Sequence, residues 1–204
     1  MKGSEAFFNK TQKRYFYNIM PVANINSVVA RGILCHDLAD KFSHDSVALS
    51  DVQVRRSEVR VPNGMRLHSY ANLYFTFNNP MMYLRKDMAD ELCILVVSIR
   101  VLDIEGCIVS DRNAAASLVK FYSPIEGIER IDFGKVYERY WTNHEDPYER
   151  SNHKQIKCAE ILVPRRITDE YILGAYVVDD KVRDQMLREG FEKPIAINPK
   201  AFYR

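Results

Sequence analysis

A glutamate inside an otherwise apolar stretch is the first residue of this chain whose type and setting suit chemistry. Glu160 lies in Lys-Cys-Ala-Glu-Ile-Leu-Val-Pro at residues 157–164, where side chains alternate with the period of two that is typical of a half-buried strand. Pro164 cannot donate to a sheet and is expected to end that strand. An ionised carboxylate is rarely buried without a partner. The segment alone leaves two interpretations open. Glu160 lies either on the solvated face of an edge strand or in a site where its carboxylate has a functional role.

Two adjacent arginines are the second candidate for chemistry. Arg55 and Arg56 follow Ser50-Asp51, a pair that can cap a short helix, so both guanidinium groups are expected near the C-terminal end of that helix. They lie within residues 36–66, a long polar segment, and such segments in compact domains are often lids or binding loops. A solvated charge cluster is the alternative, and it is the commoner arrangement for charge clusters.

The motifs of several large enzyme classes are missing. The sequence has no GxGxxG, GxxxxGK[ST], HExxH or GxSxG pattern, which argues against a classical dinucleotide fold, a P-loop and a zincin. The cysteines are far apart, with no CxxC pair and no His at zinc-site spacing, so we expect reduced, mostly buried thiols and no metal. They are Cys35, Cys93, Cys107 and Cys158.

Length and composition bound the class of protein. With 204 residues, we expect one domain over 1–204, with a polar leader at 1–13 and a tail at 192–204. The hydrophobic share of 47% and charged share of 27% are typical of soluble proteins, and a net charge of +2 does not by itself imply nucleic acid. No apolar run reaches the ~20 residues of a membrane span, so we expect a cytoplasmic protein without a membrane partner.

The elements that must position these residues alternate irregularly. The patterns predict strands at 14–20, 67–77, 91–101, 108–109, 157–163 and 172–178. They also predict a short helix from an Asn24 cap to a Gly32 stop, a helix starting at Pro80 and a last helix capped by Asp179. Residues 144–157 are predicted to be a second long loop. This order fits an α+β fold better than a doubly wound parallel sheet.

The stretch 74–83 is rich in aromatic residues and methionine. Met81, Met82 and Tyr83 follow the Asn78-Asn79-Pro80 turn. One interpretation is that these side chains pack in the core of a short helix. The other is that they stack on unpaired bases, while nearby arginines follow the phosphates.

Several short motifs, in order along residues 14–190, resemble the DarT family of bacterial toxins that ADP-ribosylate bases of single-stranded DNA. They are Tyr17, Asn24-Ile-Asn-Ser-Val-Val-Ala-Arg-Gly32-Ile-Leu, Asp51-Val-Gln-Val-Arg-Arg56, Leu67-His-Ser-Tyr, Tyr74-Phe-Thr-Phe-Asn-Asn-Pro80-Met-Met-Tyr83, Ser110-Asp-Arg-Asn-Ala-Ala115, Tyr140-Trp141-Thr142 and the Glu160 octapeptide. Each motif is short, but their shared order is specific.

The resemblance implies the ADP-ribosyltransferase fold, in which two roughly perpendicular, mainly antiparallel sheets with short helices enclose a cleft for NAD+. It implies an enzyme that uses NAD+ as a substrate, needs no metal and modifies thymidine or guanosine in single-stranded DNA. It also implies a macrodomain antitoxin that reverses the modification.

The same resemblance implies roles for individual residues. The residues implied in catalysis are Glu160, Arg56 and Arg55, with the choice between the two arginines left open. Those implied in binding NAD+ are Tyr17, Asn18, Ile19, Asn24, Gly32, Arg56 and Tyr74. Those implied in binding DNA are Asn79, Met81, Met82, Tyr83, His153 and Lys154.

The chain departs from the family at its first strand. Members often read Tyr-His-x-Thr-His there, whereas this chain reads Tyr17-Asn-Ile-Met20-Pro21. Asn18 carries hydrogen-bond donors but cannot act as an acid or base as histidine can. Two alternatives therefore stay open beside DNA modification: an NAD+-using enzyme with RNA, protein or water as acceptor, and an inactive relative that binds nucleic acid.

Overall fold

A computed structural model describes residues 1–46 and 50–204. In these residues the α-helices are α1 (Gly3–Thr11), α2 (Ile25–Arg31), α3 (His36–Ala39), α4 (Ser50–Glu58), α5 (Pro80–Leu84), α6 (Pro124–Arg130), α7 (Phe133–Tyr137), α8 (Pro147–Ile156) and α9 (Asp180–Arg188). The strands are β1 (Tyr15–Pro21), β2 (Ile33–Leu34), β3 (Tyr70–Tyr74), β4 (Leu92–Ser98), β5 (Ile108–Ser110), β6 (Phe121–Tyr122), β7 (Glu160–Pro164), β8 (Arg166–Ile167), β9 (Ile172–Val177) and β10 (Ile195–Ile197). Short 3₁₀ turns connect several of them.

Eight strands form one sheet in the order β10-β9-β4-β1-β3-β7-β5-β6. All neighbours are antiparallel except β10 and β9, and β2 pairs with β8 in a separate two-stranded sheet. The junction between β1 and β3 consists of a single aligned pair, Tyr17 and Tyr74, whereas β1 and β4 align over seven pairs. This narrow junction divides the sheet into two four-stranded halves, whereas the resemblance implied two separate sheets.

The strands at the centre of the sheet are apolar because they are covered on both faces. Six of the seven residues of β4 are buried, as its continuous apolar run predicts. In β7 the first four residues are buried and Pro164 is the last residue of the strand, as predicted. The α+β class is therefore confirmed, and the catalytic candidate Glu160 belongs to a central strand rather than an edge strand.

The two ends of the chain, expected as a polar leader and a tail, contain helical and strand elements that pack on the rest of the fold. The leader contains α1, whose Phe7 is fully buried against Phe16 and Phe75. Its apolar face is too short to give a helical period, and tertiary packing rather than propensity stabilises it. At the other end, Phe202 is fully buried after β10.

The segment 144–157, predicted to be a loop, is largely the helix α8. The side chain of Asp146 accepts a hydrogen bond from the backbone N–H of Tyr148, and Pro147 occupies the first helical position. Both are standard helix-start signals. The helix buries only His153 and Ile156, so its sequence has almost no apolar period to detect.

Other predicted boundaries are confirmed or need small corrections. Helix α5 begins at Pro80, α9 is capped by Asp179, and α4 carries both arginines in its last turn. The predicted strand at 67–77 is shorter, because a 3₁₀ turn precedes β3. Asn24 occupies the N-cap position of α2, as predicted, but its side chain exchanges two hydrogen bonds with the backbone of Asp45 instead of capping the helix. Within the described residues, no helix has the length and apolar character needed to cross a membrane.

Candidate active site

The site centres on Glu160, the first residue of β7. It lies directly opposite Tyr74 of β3, so the two side chains share one face of the sheet. Glu160 is fully buried. Each of its carboxylate oxygens lies 3.0 Å from Nη1 of Arg56, and Oε1 also accepts a hydrogen bond of 2.9 Å from the backbone N–H of Ala114. The structure therefore excludes the solvated edge-strand interpretation.

The last residue of β5 and the segment that follows this strand hold Glu160 in place. The hydroxyl of Ser110, which is fully buried, accepts a hydrogen bond of 3.1 Å from the Glu160 N–H and donates one of 2.7 Å to the carbonyl of Arg112. Ala114, four residues later, is also fully buried. Sequence reasoning matched this segment to the family but gave it no role at the site. The available sequence signal for a role of this segment was a Ser at the end of a predicted strand, followed by the small residues Ala114 and Ala115.

Arg56 and Glu160 form a buried ion pair. Arg56 is 8% exposed, and burial by itself lowers the pKa of a guanidinium. The charge of Glu160 and the hydrogen bond to it outweigh burial, so the pKa of Arg56 is raised. Burial, and then the charge of Glu160, raises the pKa of Tyr74, so this phenol is neutral at physiological pH. The site thus holds a fixed carboxylate, a fixed cation and a neutral phenol.

A cavity of about 540 Å³ lies beside this pair. Arg56 and Tyr74 line it, whereas Glu160 lies behind these two residues that contact it and is not part of the lining. The wall is completed by residues of β1, α2, α3, α5 and α8, together with the segment after Gly32 and the loop at 113–116. Its size is within the usual range of small-molecule and cofactor sites.

The structure brings most of the implied NAD+-binding residues to this cavity. The residues of that set that line it are Asn18, Ile19, Asn24, Gly32, Arg56 and Tyr74. Tyr17 is not among the residues that line the cavity, and its ring packs against Phe77 and Tyr176. Its assignment to NAD+ binding stays a prediction. Burial raises the pKa of Tyr17 to about 12, which is consistent with a packing role.

Asn18 presents an unused acceptor at the cavity wall. It is 9% exposed, and its Nδ2 donates a hydrogen bond of 3.0 Å to the carbonyl of Asn72. That bond fixes the orientation of the amide, and its Oδ1 is buried without a hydrogen-bond partner in the described structure. A buried acceptor without a partner costs stability, and such atoms often belong to binding sites.

The two arginines of α4 differ in their environment. Both line the cavity, but the buried ion pair with Glu160 is made by Arg56. This contact makes Arg56 the stronger candidate of the two.

The implied DNA-binding residues separate into two groups. Three are fully buried, which contradicts a direct contact with DNA: Asn79 caps α5 through the N–H of Met82, Met82 packs in the core, and His153 bonds to the carbonyl of Lys135. The remaining three are accessible: Met81 and Lys154 line the cavity, and Tyr83 is 47% exposed.

The fold and the buried strand glutamate beside a cavity define the class of ADP-ribosyltransferases. The family model of DarT, described as "ssDNA thymidine ADP-ribosyltransferase", matches residues 17–203. The chain belongs to this family.

Similar proteins agree with this assignment. A DNA ADP-ribosyl transferase of Thermus sp. (strain 2.9) is 26% identical over 92% of both chains. A DNA ADP-ribosyl transferase–DNA ADP-ribosyl glycohydrolase fusion protein of Thermosipho africanus is 28% identical over 91% of this chain, but this chain spans only about half (48%) of the fusion. The structure of Thermus sp. 2.9 DarT in complex with ADP-ribosylated ssDNA has a TM-score of 0.79 at 22% identity, and covers 93% of this chain and 96% of that one.

Proposed function

We propose that this protein transfers ADP-ribose from NAD+ to a base of single-stranded DNA. The observation that carries the proposal is the buried Arg56–Glu160 pair against a cavity of cofactor size, in a chain of the DarT family. Relatives add support, since Thermus sp. 2.9 DarT is known in complexes with NAD+ and with ADP-ribosylated ssDNA. The family description favours thymidine over guanosine as the modified nucleoside.

The first requirement of the chemistry is a negative charge near the reacting ribose, and Glu160 supplies it. The bond between nicotinamide and the ribose C1′ breaks, and positive charge develops on that ribose as in glycoside hydrolysis. A carboxylate in a dry site stabilises such charge more strongly than one in water. Oε2 of Glu160 receives one hydrogen bond, from Arg56, and keeps acceptor capacity for a ribose hydroxyl. Because Glu160 has no exposed surface, Arg56 has to shift before the carboxylate touches substrate.

The acceptor base must also lose a proton. A base nitrogen forms a bond to C1′ while nicotinamide leaves with the electron pair of the broken bond, and the N–H proton of the base needs an acceptor. Arg56 is a permanent cation and cannot accept it. In this proposal Glu160 takes the proton, and Arg56 binds the base or a phosphate oxygen of NAD+ through its remaining N–H groups.

Accessible residues at the rim of the cavity fit a single strand. Met81, Lys154 and Arg85 line the cavity, and the exposed ring of Tyr83 lies close by on α5. We assign Tyr83 to stacking on an unpaired base and Lys154 to a phosphate contact.

A partner enzyme completes the proposal. The T. africanus relative joins a DNA ADP-ribosyl transferase to a DNA ADP-ribosyl glycohydrolase in one chain. By analogy, we propose a separate or fused macrodomain glycohydrolase that removes the modification and acts as an antitoxin. The protein then acts in the bacterial cytoplasm, where NAD+ and single-stranded DNA both occur.

Incubation with labelled NAD+ tests the activity. The protein is mixed with single-stranded DNA, with RNA or without acceptor, and label is followed in the polymer and in free ADP-ribose. Label in DNA supports the proposal, and mass spectrometry of defined oligonucleotides identifies the modified base. Label in RNA alone, or free ADP-ribose alone, indicates the alternative acceptors. No turnover indicates an inactive nucleic-acid-binding relative.

A further inference from the structure

A cluster of two histidines and one aspartate stands at the mouth of the cavity, apart from the Glu160 pair. His36 is the first residue of α3, Asp40 follows the end of that helix and His44 comes four residues later. Nε2 of His36 lies 3.4 Å from Oδ2 of Asp40, and Nε2 of His44 lies 3.9 Å from Oδ1. Each residue offers one ligand atom within 4.8 Å of the other two. We propose that these residues bind Zn²⁺.

The hydrogen bonding of His44 supports this proposal independently. Its Nδ1 lies 3.2 Å from the carbonyl of Phe42, a contact that requires an N–H at Nδ1. In a neutral imidazole the lone pair is then on Nε2, and this atom faces the carboxylate of Asp40. A metal cation placed between this nitrogen and the carboxylate would be bound by both. Histidine ligands of metals usually donate their other ring N–H to a carbonyl or carboxylate in this way.

The spacing of the ligand atoms suits a small tetrahedral ion. Ligands that are each ~2.0–2.2 Å from zinc are about 3.3–3.6 Å apart in a tetrahedron. The contacts of His36 and His44 end on different oxygens of Asp40, and one ligand atom from each residue lies within 4.8 Å of the other two. Tetrahedral binding therefore needs these side chains to approach one another by up to roughly 1.2–1.5 Å. Two imidazoles and one carboxylate suit zinc better than the hard cations Mg²⁺ or Ca²⁺. Three protein ligands leave a fourth position for water.

The site is close enough to the cavity to influence it. His36 and His44 both line the cavity, and the next residue, Asp45, is tied to Asn24 of the cavity wall by two hydrogen bonds. A bound ion would fix the segment between α3 and Asp45 against that wall. The expectation of no metal followed from the cysteines, which have no CxxC pair and no His at zinc-site spacing, and from the family resemblance.

Calorimetric titration of untagged, chelator-treated protein with ZnCl₂ tests the site without NAD+ or DNA. We expect one Zn²⁺ per chain. Asp40→Asn and His44→Ala should each weaken binding at least ~10-fold, since even the loss of an outer-shell partner costs that much. Asp37→Asn is the matched control: Asp37 lies in the same short helix and bonds to Ser69, outside the cluster. Its affinity for Zn²⁺ should stay within about twofold of the unchanged protein.

Binding of Co²⁺ provides a second test of the metal site. It is measured on the unchanged protein, so the result does not depend on whether the variants fold. Co²⁺ bound by two imidazoles and a carboxylate should give visible absorption bands that one equivalent of Zn²⁺ abolishes. Absence of saturable Zn²⁺ binding and of these bands would overturn the proposal. Equal losses of affinity in Asp37→Asn and Asp40→Asn would overturn it as well. Neither result bears on the ADP-ribosyl transfer proposed above.

Discussion

At the scale of single residues, Glu160 combines complete burial with three hydrogen bonds to its carboxylate. Glu160→Gln keeps the shape of the side chain and an oxygen for the Ala114 N–H, but removes the negative charge. We expect ADP-ribosyl transfer to fall at least ~10²-fold, the scale of losing one aligned electrostatic group. Label transfer at saturating NAD+ measures the loss, and thermal unfolding shows whether the fold is kept. Near-normal transfer by a folded Glu160→Gln protein would remove this residue from the chemistry.

The second residue-scale prediction separates the two arginines. Arg56→Ala leaves the carboxylate of Glu160 buried without its cation, a loss that typically destabilises a protein by about 3–5 kcal/mol. Arg56→Lys keeps the positive charge but lacks the planar guanidinium group with its several N–H donors. We therefore expect its turnover to stay well below that of the unchanged protein. Arg55→Ala is the matched control at the neighbouring position, and its turnover should change much less. Michaelis constants for NAD+ and DNA then distinguish a binding defect from a chemical one.

The opposite ranking, with Arg55→Ala inactive and Arg56→Ala active, would reverse the assignment. Two active alanine variants would mean that the buried ion pair only stabilises the fold. Unfolding curves are needed for each variant, because Arg56→Ala combines both effects.

How far the site was predictable depends on the residue. Glu160 stood out as a carboxylate in an apolar strand pattern, which left its burial undecided, and the family resemblance gave it a catalytic role. The same resemblance left the choice between Arg55 and Arg56 open. The contact between Glu160 and Arg56 joins residues 104 positions apart, which no local pattern reveals. Asn79 and Met82 were assigned to DNA wrongly, since an Asn before Pro80 is itself a helix-cap signal that points inward. The metal candidates at α3 were missed although they are only four residues apart along the chain, because the expectation of no metal rested on the cysteines and on the family resemblance.

At the scale of elements, α8 and the buried Lys157 that follows it connect the loop at 138–146 to the strand of Glu160. Nζ of Lys157 donates to the carbonyls of Val136 and Glu138, 2.9 and 2.8 Å away, and lies 5.5 Å from the ring centre of Trp141. Lys157→Met should destabilise the protein, because each carbonyl left unpaired in the interior costs about 1–3 kcal/mol. Chemical denaturation measures the difference in unfolding free energy.

The same side chain predicts a pH dependence. Burial lowers the pKa of Lys157 from 10.5 to about 8. Between these values the unfolded chain binds the proton and the folded protein does not, so this group makes unfolding free energy rise with pH over that window. Lys157→Met lacks this contribution. Unfolding free energies measured from pH 7 to 10.5 should therefore show a gap between the two proteins that widens as pH rises; a constant gap would contradict the lowered pKa.

Strands and helices were predicted correctly where apolar side chains recur with a regular period along the sequence. They were missed where contacts with the rest of the fold, rather than such a period, stabilise the element. The central strands β1, β4 and β7 have apolar runs or alternation, and the structure contains a strand within or across each predicted range. The bounds differ, since β7 begins at Glu160 rather than at residue 157 and β4 ends at Ser98 rather than at residue 101. Helices α1 and α8 have short buried faces, so packing against the sheet rather than a 3.6-residue period stabilises them. Cap residues were the better signal for α8.

At the scale of the whole molecule, the sheet places the buried carboxylate of Glu160 behind the wall of the cavity. A target base therefore has to be unpaired and unstacked from its neighbours in the DNA before it can reach this carboxylate. Single-stranded DNA should therefore react, and a blunt duplex of the same sequence should not, because flipping a paired base costs a few kcal/mol. A duplex with a small bubble at the target base should recover activity. Rates on the single strand should fall steeply as salt rises, since phosphate contacts release counterions. Initial rates on the three oligonucleotides at matched salt test this, and equal rates on single strand and blunt duplex would show that the target base is reached without being unpaired.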